Sequence, residues 1–190
     1  EHLDYKATIV GDTMYDLIVE NKFFYNKNLL KEWNVEEKGY YLCTIHRPVN
    51  VDNLDNLTVI FRALSKLHKL VIFPCHPRTA QKLNLIFKAD NVKIIEPVGY
   101  LTMMTLTAAC SKVITDSGGL QKEAHILDIP CVTLRNETEW VESVECGANK
   151  LTSINEEEII NNIESDFDFE CIHPYGVGTA SEKICEAING

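Results

Sequence analysis

The chain has 190 residues, 45% of them hydrophobic, and a formal net charge of -10, with no stretch that clusters Lys and Arg. That length and apolar content suffice for a full core, and the charge balance excludes a basic nucleic-acid footprint, so any anionic ligand must be held locally. No apolar run reaches the length of a membrane span, and the seven cysteines form no CxxC pair, which reads as reduced, mostly buried thiols of a cytoplasmic protein rather than a zinc site or disulfide frame.

In chain order, Ala7-Thr8-Ile9-Val10, Gly11-Asp12-Thr13 and Met14 to Ile18 read as a strand, a turn and a helix with no partner before them. Residues 1–20 are therefore expected to be the remnant end of a first domain and its linker, and residues 21–190 a second domain that includes the C-terminal helix. Asn21 to Lys38 is polar with Phe23, Phe24, Leu29, Leu30 and Trp33 as anchors. From Gly39 the punctuation becomes regular. Strands are expected at Tyr40–Ile45, Leu70–Phe73, Val92–Ile95, Lys112–Thr115 and Cys131–Leu134. Between them lie helices: one with Leu54, Leu57, Phe61 and Leu64 on one face and Asp52 or Asn53 as cap, one through Leu83 and Phe87, one over Leu101–Cys110 and one over Gly118–Leu127. A short helix with Val141 and Val144, a brief edge strand at Asn149–Leu151 and a capped acidic helix from Asn155 to Ser165 follow. His173 to Gly178 breaks the chain before a last helix with Ala180, Ile184 and Ile188 on one side.

Apolar strands separated by single helices predict a doubly wound, Rossmann-like α/β fold with a parallel sheet covered on both faces. In the strand order 3-2-1-4-5-6, strands one and four are neighbours and ligands bind at their carboxyl ends. The unusual chemistry gathers there. His46-Arg47 leaves strand one and Asp116-Ser117-Gly118-Gly119 leaves strand four, while His76 and Arg135 end strands two and five. A helix that starts at Ser-Gly-Gly presents free N–H groups and a positive dipole end to an anion, and Glu123 lies on the same face as Gly119, suited to a sugar diol. Asp116 or Ser117 can equally serve as a plain helix cap, and Arg135 can equally pair with Glu137 or Glu139 on the surface. The coincidence at one crevice points to a nucleotide or nucleotide-sugar diphosphate site.

Six ordered motifs carry a more specific resemblance: Thr44-Ile45-His46-Arg47-Pro48-Val49-Asn50, Cys75-His76-Pro77-Arg78-Thr79, Glu96-Pro97-Val98-Gly99-Tyr100, Thr115 to Ala124, Leu134 to Glu142 and Pro174-Tyr175-Gly176-Val177-Gly178. In this order they resemble the non-hydrolysing UDP-N-acetylglucosamine 2-epimerases. The resemblance implies the second half of a two-domain architecture of the glycosyltransferase-B type, with UDP-sugar in the cleft between the halves. It implies that Ser117, Gly118 and Gly119 hold the diphosphate, Glu123 the ribose hydroxyls, Arg135 and His46 the phosphate region, and Val98 and Met103 the uracil; Arg47, beside His46, is a further substrate-binding residue. His46 is the catalytic candidate, and His76 a further binding residue. The implied chemistry is elimination of UDP across C1–C2 and readdition after reprotonation at C2, with no metal or nicotinamide cofactor. The acidic residues that handle the C2 proton would come from a first domain of the same protein, so a UDP-binding fragment without turnover is expected. The full-length protein would also meet a second copy as a homodimer. Val49 stands where the family usually has an acidic residue, and Thr138-Glu139-Trp140-Val141-Glu142 resembles the branch that includes epimerases for UDP-diacetamido uronic acids, so the sugar stays open. A glycosyltransferase of the same architecture or a nucleotide-binding regulatory module would use the same cradle.

Overall fold

The computed structural model describes residues 7–21, 26, 28–75, 77–83, 89–170 and 174–189. Two helices come first, α1 (Thr13–Asn21) and α2 (Asn28–Glu32). Strands and helices then alternate as β1 (Tyr40–Thr44), α3 (Pro48–Val51), α4 (Leu54–Ser65), β2 (Leu70–Pro74), α5 (Pro77–Leu83), β3 (Val92–Ile95), α6 (Tyr100–Ala109), β4 (Lys112–Thr115) and α7 (Gly118–Ile126). The chain continues through β5 (Cys131–Thr133), α8 (Val141–Glu145), β6 (Asn149–Leu151), α9 (Glu156–Glu164) and α10 (Ala180–Asn189). All pairings are parallel, in the order β3-β2-β1-β4-β5-β6. This is the doubly wound, Rossmann-like arrangement expected, with β1 and β4 adjacent at the point where the order reverses.

The strands lack alternation because both faces are buried. Tyr41, Cys43 and Ile45 enter one core with Val71, Phe73 and Ile114, packed under α4 and α9. Tyr40 and Leu42 enter the other, with Ile72, Val113, Leu106 and Ala124 beneath α6 and α7. Tyr40 can be fully buried because its hydroxyl donates to the Leu106 carbonyl at 2.7 Å. Asn53 caps α4, accepting from the Asp55 and Asn56 amides, and Asn155 caps α9 by accepting from the Glu158 amide. On α4 the buried stripe is Leu57, Ile60, Phe61 and Leu64. Leu54, expected on it, is exposed, since the packed face begins only with Leu57.

Ala7 to Val10 differs from the expected strand. It carries no strand geometry, and Ile9 is 95% exposed. A strand needs a ladder, and this segment pairs with neither sheet edge, β3 or β6; the chain is instead fastened by the Asp12 amide donating to the Tyr175 carbonyl at 2.9 Å. Gly11 and Gly176 cross there, both at φ 102°, and a Cβ on Gly176 would stand 3.3 Å from the Gly11 Cα. Asp16 of α1 accepts from the Ala180 and Ser181 amides and so caps α10. Of the expected α10 face, Ala180 is buried and Ile184 half-buried, while Ile188 is exposed at the far end of the helix. Among the described cysteines, Cys43, Cys75, Cys110 and Cys131 are buried and none of the six is in a disulfide. Phe23, Phe24, His76, Phe87, Cys171 and His173 lie outside the described residues.

Candidate functional site

The site grows from two strands that end level with each other. Thr44, the last residue of β1, is in register with Thr115, the last of β4, and their hydroxyls are 2.7 Å apart. The Ser117 amide donates to the Thr115 hydroxyl at 3.0 Å, which sets the turn into α7. Asp116 crosses the gap. Its fully buried carboxylate accepts from the His46 amide at 3.0 Å, the Arg47 amide at 2.9 Å and the Asn50 side-chain amide at 3.0 Å. One carboxylate thus ties the loop after β1 to the loop after β4. Ser117, not Asp116, is the α7 cap, with its hydroxyl accepting from the Leu120 amide at a long 3.4 Å.

A cavity of about 360 Å³ opens beside this junction. His46, Val98, Met103, Ser117, Gly119 and Glu123 line it, which brings together most of the residues singled out in the sequence. Gly118 and Gly119 are the first two residues of α7, where amides have no intrahelical carbonyl to bond. Neither is required by backbone strain, since the positive-φ glycines are others. A Cβ on Gly119 would meet only the Ser117 hydroxyl, at 3.9 Å. The bare backbone there leaves clearance at the helix mouth rather than relieving a clash inside the chain.

Arg47 and Arg135 fall on the other side of the α7 mouth, in the wall of a second cavity of about 610 Å³ with Asn50, Asn56 and Asn136. Arg47 donates through Nε to the Asp116 carbonyl at 2.9 Å. Arg135 takes the surface pairing left open by the sequence: its Nη1 lies 2.8 Å from Glu139 Oε2, and Arg47 Nη2 lies 3.2 Å from Glu139 Oε1. The Arg135 hydrogen bond first, then the Glu139 backbone amide and the charges of Arg135 and Arg47, hold the Glu139 carboxyl down at about 2. His76 lies outside the described residues, and among those described no three His, Cys, Asp or Glu side chains cluster as a metal site would need.

Burial has the opposite effect on Glu123. Desolvation beneath the apolar cavity wall pushes its carboxyl up from 4.5 to about 7. An unfolded chain would ionise Glu123 near 4.5 while the folded chain keeps its proton to about 7, so folding stability falls as pH rises between those values and levels off above them. A Glu123→Gln chain should therefore gain stability over the parent across that window, reaching about 3 kcal/mol by pH 8. Urea denaturation at pH 4.5 and pH 8 checks this; an equal difference at both would mean that Glu123 is not desolvated.

Sequence reading missed the bracket formed by Asp116 and Asn50, and the doubly paired Glu139. Asp116 was visible only as a cap candidate, because its partners are 66 to 70 residues away. Trp140 donates through Nε1 to the Gly118 carbonyl at 2.7 Å and so fastens the loop after β5 to α7.

With this geometry in hand, the comparisons with known proteins are specific. Residues 3–189 match the family model described as UDP-N-acetylglucosamine 2-epimerase. A UDP-N-acetylglucosamine 2-epimerase homolog of Methanococcus maripaludis is 44% identical over 190 residues, covering 94% of this chain and 53% of that protein. UDP-2,3-diacetamido-2,3-dideoxy-D-glucuronate 2-epimerase of Pseudomonas aeruginosa is 37% identical, covering 95% of this chain and 52% of its own length. The crystal structure of Methanocaldococcus jannaschii UDP-GlcNAc 2-epimerase in complex with UDP-GlcNAc and UDP superposes with a TM-score of 0.83 at 36% identity, over 98% of this chain and 55% of that one. The chain thus spans about half the length of the relatives it matches. Matched over nearly all its residues, the chain belongs to the UDP-N-acetylglucosamine 2-epimerase family.

Proposed function

We propose that this chain is the UDP-holding part of an epimerase that inverts C2 of a UDP-N-acetyl amino sugar. The observation that carries the reading is the junction at the ends of β1 and β4, where a cavity lined by Val98, Met103 and Glu123 meets the bare Gly119 at the α7 mouth. Uracil fits the apolar end, the ribose diol reaches Glu123, and the diphosphate lies against the Gly118 and Gly119 amides. His46, at the cavity edge with Nδ1 3.3 Å from Asp116 Oδ1, faces the phosphate and sugar side and is the catalytic candidate of this chain. The M. jannaschii relative was crystallised with UDP-GlcNAc and UDP, which supports the same ligand class here. The sugar is UDP-GlcNAc or a UDP-diacetamido uronic acid, as in the relatives, and the reaction proceeds by elimination and readdition of UDP.

On this reading the chain by itself binds UDP without turning the sugar over. Each of its site carboxylates has another task on this reading: Glu123 faces the ribose diol, Asp116 accepts three N–H bonds, and Glu139 is paired with two arginines and too weak a base near neutrality. The C2 proton would be handled by acidic residues of a further domain of the same protein.

Gly119→Ala separates clearance for a ligand from clearance for folding. The added methyl meets nothing closer than 3.9 Å and replaces a glycine in a helix, so stability should hold or rise by up to about 1 kcal/mol. The same methyl stands at the diphosphate position and should weaken UDP binding by about tenfold or more, as loss of an interaction of roughly 1.4 kcal/mol would. Thermal unfolding and UDP titration of the same preparation check both halves. Unchanged UDP affinity would remove the diphosphate from the α7 mouth.

A further inference from the structure

The loop after β5 places a carboxylate of the protein itself at the α7 mouth. Two hydrogen bonds fasten this loop to the start of α7: Trp140 Nε1 to the Gly118 carbonyl at 2.7 Å and the Thr138 hydroxyl to Gln121 Oε1 at 2.6 Å. Glu139 lies between those anchors. Its carboxylate comes within 3.4 Å of where a Cβ on Gly118 would stand, and it takes hydrogen bonds from Arg135 Nη1 at 2.8 and 3.2 Å and Arg47 Nη2 at 3.2 Å. Arg47 is braced from behind by the Asp116 carbonyl, and Arg135 is almost wholly buried, so neither guanidinium is free to turn outward at will.

We propose that Glu139 is an internal competitor for the phosphates, occupying with its own negative charge the two arginines that would otherwise grip the ligand. The inference rests on the UDP reading of the site. A diphosphate arriving at Gly118 and Gly119 meets arginines already neutralised and a carboxylate that repels it, and a firm hold on both guanidinium groups requires Glu139 to be displaced. Glu139 thereby sets how tightly UDP is held and favours its release. The neutral part of the ligand, at Val98 and Glu123 in the other cavity, is outside its reach.

The test is titration of the chain and of Glu139→Gln with UDP and with uridine, at low and high KCl. Glu139→Gln should bind UDP about fivefold more tightly, the worth of one partly exposed ion pair, with a steeper loss of affinity on added salt and unchanged uridine binding. Where Glu139→Gln does not fold, Glu139→Asp, too short to span both arginines, should shift UDP affinity in the same direction. UDP affinity that is unchanged or weaker in the variant overturns the proposal while leaving the UDP site standing. Failure of the parent and the variant to bind either UDP or uridine refutes the reading of the site itself, and the inference with it.

Discussion

An Asp116→Ala chain is expected to lose about 3 to 5 kcal/mol of folding stability, the scale found when one partner of a buried charged network is removed. The carboxylate is fully buried and is the acceptor for the His46 and Arg47 amides and for the Asn50 side chain. Alanine leaves those donors without an acceptor in a space that water reaches poorly, and the loop after β1 loses its tie to β4. Asp116→Asn keeps one acceptor oxygen of the same shape but turns an NH₂ toward donors, so it should fall between the parent and alanine. Urea denaturation checks the order, with an unchanged m-value showing that the native state rather than the unfolded chain is affected. A loss under about 1 kcal/mol for alanine would place Asp116 among ordinary helix caps.

Ser117→Ala combined with Glu123→Ala is expected to weaken UDP binding by about a hundredfold or more, since each removed side chain carries roughly 1 to 3 kcal/mol of hydrogen bonding to the ligand. The fold should survive the double change. Loss of the Ser117 cap costs about 1 kcal/mol, and its bond to the Leu120 amide is already long at 3.4 Å. Removal of a carboxyl whose desolvation lifts it to about 7 offsets part of that loss at neutral pH. Loss of affinity in a folded double variant therefore reports on the site. Equal affinity in parent and variant would mean that UDP, if bound, sits elsewhere.

Much of the fold was legible because its signals are local. Apolar runs such as Leu70 to Phe73 and Lys112 to Thr115 fall between turn residues, and the helices between them show three- and four-residue spacing. Parallel pairing and the order β3-β2-β1-β4-β5-β6 then follow from single-helix crossovers, and with them the meeting of His46 with Ser117 and Gly119. Non-local contacts were not legible. Asp116 looks like any residue before a helix until Thr44 and Thr115 are known to end level. Glu139 was weighed only as the local partner of Arg135, four residues away, because the approach of Arg47, 92 residues distant, depends on the fold. Ala7 to Val10 has strand-like residues, yet strand formation depends on a partner that this segment does not have among the described residues.

Calorimetric titration of the folded chain with UDP tests the central claim most directly. The account predicts saturable binding at one site per chain, lost in Ser117→Ala/Glu123→Ala. No heat of binding from a chain whose circular dichroism and cooperative unfolding show it to be folded would contradict it.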